Sequence, residues 1–273
     1  MNRINRALWN RRLAYRKARL KVAIKDGDQQ RVKKWRLLIQ QAQYKLGIKK
    51  PVVQKPKLVK PTPPKAKTPT KGIDVYEGDG SIEWSKVKKA GYEYVFCKTS
   101  EGGDWSDPSW TKARVDAIRA ANIKLGVYHF LRPKAGRSGA EEARFFIKQA
   151  KAAGWGKVGD VLPVIDFEAT VLSSPAKTAK YVAQTIAEIK RLTGKAPIIY
   201  TGGPFWDENT NSLADNYGCP LWLAAYVKNP EQYLPAAWKK AGWTIWQHTD
   251  QGSVPGVTAS NVDQNIAKDI PTL

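Results

Sequence analysis

Short apolar runs alternate with amphipathic segments over most of the chain, from residue 72 onward. Runs rich in β-branched residues predict eight strands, at 72–76, 93–99, 124–130, 161–168, 197–201, 221–227, 243–249 and 261–265. Helical patterns separate the first five of them, near 82–90, 109–121, 138–153 and 176–193. Alternation of this kind is typical of parallel βα units. The predicted fold class is α/β, an irregular (β/α) barrel that is TIM-like, with about eight strands and fewer helices.

The N-terminal residues have a different pattern. Residues 3–25 contain no Gly or Pro and predict a helix, which Asp26-Gly27 ends. Residues 28–46 predict a second helix with heptad-like apolar spacing and a C-cap at Gly47. Residues 1–47 therefore predict a basic helical hairpin. Residues 48–71 hold six prolines and many lysines, which indicates a stiff, extended linker before a domain at 72–273.

Charge separates the same two parts of the chain. The formal net charge is +22, but residues 1–71 hold 22 Lys and Arg against two acids, a net +20. Residues 72–273 are almost balanced, with 24 Lys and Arg against 22 acids. The basic character therefore belongs to the N-terminal segment, and it predicts an anionic partner for that segment rather than for the barrel.

Several function classes find no support in the composition. Cys97 and Cys219 are the only cysteines, which argues against a disulfide framework and fits synthesis in a reducing cytoplasm. Two histidines without ligand spacing argue against a metal site, and no cofactor is expected. The start of the chain lacks the apolar core of an ordinary secretory signal, and no stretch reaches transmembrane length.

The apolar run at 161–168 ends in two carboxylates, Asp166 and Glu168. Side chains alternate along a strand, so both acids should project to one side while Phe167 faces the other. Crowded carboxyl groups raise one another's pKa, which can keep one acid protonated beside an ionised partner. Cleavage of a glycosidic bond requires this arrangement. Pro163 is awkward inside a central strand, but it is tolerable in the strand's first turn of hydrogen bonding.

Polar and aromatic residues recur at the predicted strand ends, where barrels of this class place their catalytic groups. Acids together with aromatic rings are typical of a cleft that binds sugars. Other readings are a strand-end salt bridge or helix cap for the acids and core packing for Tyr128, Trp222 and Tyr226. His129 is expected to be a hydrogen-bonded core residue. The strand-end set is Asp74, Glu101, Tyr128, Asp166, Glu168, Tyr200, Trp222, Tyr226, Gln247 and Asp263.

Motifs in residues 72–273 resemble, in order, glycoside hydrolase family 25, the Chalaropsis-type lysozymes that also occur as phage endolysins. The resemblance does not extend to residues 1–71. The motifs are Gly72-Ile-Asp-Val-Tyr76, Ile82-Glu-Trp84, Lys98-Thr-Ser-Glu-Gly102, Gly126-Val-Tyr-His-Phe130, Val164-Ile-Asp-Phe-Glu168, Ile199-Tyr-Thr-Gly202, Leu221-Trp-Leu-Ala-Ala-Tyr226, Trp246-Gln247, Gly252-Ser-Val-Pro-Gly-Val257 and Asn261-Val-Asp-Gln264.

The resemblance implies a phage-type lysin that cleaves the β-1,4 bond between N-acetylmuramic acid and N-acetylglucosamine in peptidoglycan. Glu168 would be the general acid, and Asp166 would stabilise positive charge or orient the N-acetyl group. Asp74 and Asp263 would line the same cleft. The substrate's own acetamide is a candidate nucleophile, as in substrate-assisted glycosidases. The residues expected to bind substrate are Glu101, Tyr128, Tyr200, Trp222, Tyr226 and Gln247.

Two questions stay open at the level of the sequence. The barrel could instead bind glycan without cutting it, as part of a virion-structural protein. Residues 1–50 could bind an anionic wall polymer, a membrane surface or nucleic acid, or could serve only solubility or assembly. An electrostatic tether is the preferred interpretation beside a wall substrate. The enzyme is expected to be made in the bacterial host cytoplasm and to act on the wall after release, or to be virion-associated.

Overall fold

The computed structural model describes residues 69–211 and 215–273, together with six positions of the N-terminal segment that are all helical. The rest of the predicted hairpin (1–47) and the predicted linker (48–71) up to residue 68 lie outside the described residues. One boundary is corrected, because Thr70 and Lys71 already pair with Ala267 and Ile266 in the sheet. The barrel therefore begins at Thr70 and not at residue 72. No helix in the described part of the chain is both long and apolar enough to cross a membrane.

Residues 69–211 and 215–273 form nine strands and five α-helices. The strands are β1 (Thr70–Val75), β2 (Tyr92–Glu101), β3 (Trp105–Ser106), β4 (Lys124–Phe130), β5 (Val164–Asp166), β6 (Ile198–Thr201), β7 (Leu221–Ala224), β8 (Ile245–Gly252) and β9 (Val262–Ala267). The helices are α1 (Trp84–Lys89), α2 (Lys112–Ala120), α3 (Gly139–Ala152), α4 (Pro175–Thr193) and α5 (Gly203–Thr210). Short 3₁₀ segments lie at Glu77–Asp79, Pro230–Tyr233 and Ala236–Trp238.

Eight of the strands close into a barrel, which confirms the predicted fold class. Strands β1, β2, β4, β5, β6, β7 and β8 run parallel to their neighbours in that order. Strand β9 closes the ring and is antiparallel to both β8 and β1. The two-residue β3 pairs with the end of β2 outside the ring. The start of β9 therefore lies at the same end of the barrel as the carboxyl ends of the other strands.

Two parts of the chain differ from their predicted structure. Strand β5 is shorter than the predicted 161–168, because Pro163 has no N–H for the ladder and the strand starts only after it. The carbonyl of Pro163 still accepts a 2.9 Å hydrogen bond from Ile198. Helix α5 lies in a segment without a predicted helix. It buries Trp206 against Phe167 and Trp238, at ring-centroid distances of 5.9 and 4.8 Å.

Aromatic side chains fill the barrel below the site. The ring of Phe96 stacks on Trp222 at 4.4 Å and meets Tyr94 edge-on at 5.7 Å. Two strand glycines make room for these rings. A Cβ at Gly72 would lie 2.2 Å from the ring of Tyr94, and one at Gly126 would lie 2.3 Å from that of Phe96. The barrel is thus a packed core with space only near its carboxyl end.

A buried polar network joins the barrel to helices α3 and α4. The Nδ1 atom of His129 lies 2.9 Å from Ser100 Oγ, and its Nε2 atom lies 3.0 Å from Glu142 Oε1. Glu142 also accepts from the Tyr181 hydroxyl and from the backbone N–H of Arg132. Ser, His and a carboxylate in this order suggest a catalytic triad, but all three side chains are fully buried. Burial also lowers the pKa of His129. His129 is therefore the hydrogen-bonded core residue that was predicted.

Candidate active site

A cavity of about 240 Å³ opens at the carboxyl end of the barrel. Four carboxyl groups and one lysine share it with five aromatic side chains. Seven of the ten residues selected from the sequence lie in its wall. The lining residues are Asp74, Tyr76, Lys98, Tyr128, Phe130, Asp166, Glu168, Tyr200, Trp222 and Asp263.

Strand positions explain how the four carboxyl groups meet. Asp166 is the last residue of β5, and Glu168 follows it two residues later on the same side, while Phe167 is buried in the outer core. Asp74 lies near the end of β1, directly opposite Asp263 in the antiparallel pair with β9. Because β9 runs in reverse, its second residue reaches the carboxyl end of the barrel. Acids from both ends of the domain sequence therefore line one cavity.

Asp74 and Asp263 form a coupled pair. Asp74 is 8% exposed and accepts hydrogen bonds from Asn265 Nδ2 at 2.6 Å and from Gln247 Nε2 at 3.1 Å. Burial and the charge of Asp263 raise the pKa of Asp74 far above 3.8. Burial also raises the pKa of Asp263, although a hydrogen bond with Asp74 opposes this shift. We infer that Asp74 keeps a proton and donates it towards Asp263, which carries the negative charge.

Asp166 and Glu168 differ in their surroundings. Asp166 is 6% exposed, and its Oδ1 atom has no hydrogen-bond partner among the described residues. Burial, followed by the charge of Glu168, raises the pKa of Asp166 far above its ordinary value. Glu168 lies at the mouth, where much of its side chain is accessible. Partial desolvation of the carboxyl group and the charge of Asp263 still raise its pKa, against the opposing effect of Lys98.

Lys98 is the only cation among the described residues of the cavity wall. Its Nζ atom lies 2.7 Å from Glu101 Oε2, and the other oxygen of Glu101 lies 2.6 Å from Arg132 Nη2. Burial acts to raise the pKa of Glu101, but the hydrogen bonds from Lys98 and Arg132 lower it overall. Glu101 was predicted to bind substrate, yet it does not line the cavity. It holds Lys98 in place instead.

Two other predicted residues lie beside the cavity rather than in its wall. Gln247 is 1% exposed and lies beneath the floor, so it cannot contact a substrate as predicted without rearrangement. Tyr226 is 51% exposed and lies at the edge, with its hydroxyl 2.8 Å from Gln247 Oε1. Both residues connect to Tyr200, which does line the cavity.

Three lining residues, Tyr76, Lys98 and Phe130, were absent from the sequence-based set. Strand alternation held the missing signal for Phe130, which lies two residues after Tyr128 on β4 and therefore faces the same side. Tyr76 bears the same relation to Asp74 at the end of β1. The described residues contain no group of three or more His, Cys, Asp or Glu side chains arranged to hold a metal ion.

The fold and the cavity define a carbohydrate-cleaving enzyme, since paired acids and aromatic walls meet at the carboxyl end of a barrel. Comparisons agree with this class. Residues 73–257 match the model of the glycosyl hydrolases family 25. The chain belongs to this family and is a glycoside hydrolase.

Individual relatives show the same relationship. The chain is 32% identical over 205 residues to Lysozyme M1 of Streptomyces globisporus, covering 71% of this chain and 66% of that protein. It is 31% identical over 190 residues to the N,O-diacetylmuramidase of Chalaropsis sp., covering 66% and 87%. The crystal structure of a lysozyme from Streptomyces coelicolor superposes with a TM-score of 0.66 at 30% identity, covering 75% of this chain and 94% of that one.

The unpartnered carboxyl group of Asp166 predicts an effect on stability. In the folded state its pKa lies above 3.8, so the stability it contributes is complete below that pH and is lost as the pH rises through the folded-state pKa. We expect Asp166→Asn to raise the free energy of unfolding near neutral pH by on the order of 1 kcal/mol. Urea unfolding of both proteins checks this.

The expected gain should shrink as the pH falls towards 3.8, the ordinary value for this group. Asp269→Asn serves as the control, because Asp269 is exposed. A gain that is the same at both pH values, or that the control reproduces, would contradict this account of Asp166.

Proposed function

We propose that this protein is a muramidase, a peptidoglycan hydrolase that cleaves the β-1,4 bond between N-acetylmuramic acid and N-acetylglucosamine. The observation that carries the proposal is the cluster of four carboxyl groups in one aromatic-walled cavity. The similarity of the chain to a lysozyme and a diacetylmuramidase supports this choice of substrate.

Glu168 is the proposed general acid. Its carboxyl group lies at the mouth of the cavity, where a glycosidic oxygen can approach it. The raised pKa favours the protonated form that this role needs. Desolvation is the main cause of that shift, and the negative charge of Asp263 adds to it, so the acid on the last strand helps the acid that follows β5 to keep its proton.

Asp166 is the proposed partner of Glu168. Its Oδ1 atom has no partner in the described structure, although the carboxyl group is buried against the cavity. Such an oxygen can accept a hydrogen bond from the acetamide N–H of a bound sugar, or stabilise positive charge that develops at the anomeric carbon. Both roles suit a reaction in which the acetamide acts as the nucleophile.

The aromatic wall supplies the contacts for the sugar rings. Tyr128, Tyr200 and Trp222 line the cavity, and Tyr76 and Phe130 extend the wall. Apolar faces of pyranose rings pack on such side chains, while hydroxyl and acetamide groups need polar partners. The proposed binding residues are therefore these five, with Lys98 as the charged group among them.

Removing the acidic proton of Glu168 tests the proposal most simply. We expect Glu168→Gln to lower the rate of peptidoglycan cleavage by about 10²- to 10⁴-fold, because general acid catalysis is lost while the shape is kept. Release of reducing ends from purified walls measures the rate, and mass spectrometry of the fragments identifies the bond that was cut.

Glu93→Gln is the matched control, since Glu93 lies at the start of β2, at the opposite end of the barrel, and its ion pair among the described residues is with Lys88. It should retain the wild-type rate. Equal rates for Glu168→Gln and the wild type would reject the role of Glu168. Binding of wall fragments by the wild type without new reducing ends would favour the non-catalytic alternative.

The N-terminal segment is the second part of the proposal. We infer that residues 1–50 tether the enzyme electrostatically to an anionic polymer of the cell wall, as part of a phage-type lysin that acts after release from the host cytoplasm. The support is the net charge of +20 over residues 1–71 beside a nearly neutral barrel sequence. A nucleic acid or a membrane surface is the competing partner.

Salt dependence tests the tether. Retention of Glu168→Gln protein on purified walls should fall steeply as salt rises, because counterions compete for the basic side chains. Replacing the Lys and Arg residues of positions 1–25 by Gln should remove most of this retention. Walls stripped of anionic polymer are the control, and undiminished binding to them would overturn the proposal. Preferential binding to DNA at the same salt would favour nucleic acid.

A further inference from the structure

The side-chain amide of Gln247 contacts two parts of the site, the pair Asp74 and Asp263 and the hydroxyl groups of Tyr200 and Tyr226. Its Nε2 atom lies 3.1 Å from Asp74 Oδ2 and 3.2 Å from Asp263 Oδ2. Its Oε1 atom lies 2.9 Å from the hydroxyl of Tyr200 and 2.8 Å from that of Tyr226. A primary amide has two N–H donors and two acceptor lone pairs, and all four are used here.

This set of contacts fixes the direction of every hydrogen bond in it. The aspartate pair carries negative charge, so the amide must turn its N–H groups towards Asp74 and Asp263. The carbonyl oxygen then faces the two tyrosines and can only accept. Tyr200 and Tyr226 must therefore each donate their single hydroxyl proton to Gln247.

The tyrosine oxygens consequently have only acceptor capacity left for a ligand. Tyr200 lines the cavity and Tyr226 lies at its exposed edge. Two acceptor oxygens on this side match substrate groups that donate hydrogen bonds, such as a sugar hydroxyl or an acetamide N–H. A ligand group that only accepts hydrogen bonds would find no donor there.

The same amide acts on the acidic side of the cavity. Its hydrogen bonds favour the ionised form of the aspartate pair and oppose the effect of burial on the pKa of Asp74. Because hydrogen bonds in a chain polarise one another, donation by the tyrosines strengthens donation to the aspartates. Gln247 thus connects the hydrogen-bond direction of the Tyr200 and Tyr226 hydroxyls with the negative charge of the aspartate pair. That charge helps Glu168 to keep its proton.

We propose that Gln247 is a positioning residue that orients Tyr200 and Tyr226 as hydrogen-bond acceptors towards substrate and stabilises the charge shared by Asp74 and Asp263. This inference rests on the proposed function for its substrate. It differs from the role predicted from the sequence, since a side chain that is 1% exposed acts through its neighbours rather than by contact.

Other ionisable groups face the aspartate pair and set the background for any pH profile. Tyr94 and Tyr128 have pKa values raised by burial and stay neutral. Burial also raises the pKa of Tyr200 and Tyr226, and Lys98 is the cation of the cavity wall. The neighbouring carboxyl groups are Asp79, Asp166, Glu168 and Asp250. The acid limb of the kcat/KM profile of a Gln247 variant is therefore compared with that of the wild type, because it reports several interacting groups and not the titration of one.

Gln247→Met provides the test, because methionine keeps the shape of the side chain without its donors and acceptor. We expect the acid limb of kcat/KM to move to higher pH, since the aspartate pair loses the hydrogen bonds that favour its charge. We also expect Tyr226→Phe to lower kcat/KM about 10-fold in the wild type but less than about twofold in Gln247→Met, as for residues that act as a unit. Gln251→Met, at an exposed position of β8, should change neither quantity.

Tyr226→Phe alone keeps the inference testable if Gln247→Met does not fold, because this side chain is half exposed. It should move the acid limb in the same direction by a smaller amount. The inference would be overturned if the losses of kcat/KM in Gln247→Met and Tyr226→Phe were additive in the double variant. It would also be overturned if the acid limb were unshifted in both single variants. A wild type that does not cleave peptidoglycan would refute the proposed function by itself. The same cycle measured on binding of an N-acetylglucosamine oligosaccharide by calorimetry would still decide the role of Gln247.

Discussion

The crowding of four poorly solvated carboxyl groups in one cavity is the constraint on which the site depends. Asp74, Asp166 and Asp263 share a small cavity with Glu168, and Lys98 is the one cation among the described residues of its wall. Desolvation raises the pKa of all four groups, and the charge of a neighbour in the cavity adds to this shift for Asp74, Asp166 and Glu168. A fold that only needed stability would not place them together, since each ionised group is poorly compensated. The loss of stability is explained if one of the four carboxyl groups must keep its proton until it transfers it to the substrate.

The architecture makes this cluster possible in two ways. Reversal of β9 brings Asp263 opposite Asp74, which joins the first and last strands at the site. Below them the stacked rings of Phe96 and Trp222 fill the barrel, and glycines at 72 and 126 leave space for the aromatic side chains. Aromatic rings and the hydrogen-bonded amides of Gln247 and Asn265 therefore occupy the space beneath the acids, which leaves little room there for water.

Much of this arrangement could be predicted from the sequence, because strand alternation and strand ends are local properties. The placement of Asp166 and Glu168 around Phe167 followed from the spacing alone. The roles of Glu101 and Gln247 did not, since they depend on partners far away in sequence, namely Arg132 for the former and Asp74 for the latter. Helix α5 was missed because Gly203 and Pro204 hide its short pattern. The N-terminal hairpin stays a prediction.

The most direct test of the account is the titration of one carboxyl carbon. The ¹³C chemical shift of Glu168, followed against pH by NMR, should give a midpoint above 4.5, the ordinary value for glutamate. The midpoint should fall when Asp263→Asn removes the neighbouring charge. A midpoint at or below 4.5, or one that Asp263→Asn leaves unchanged, would contradict the claim that the carboxyl cluster keeps Glu168 protonated.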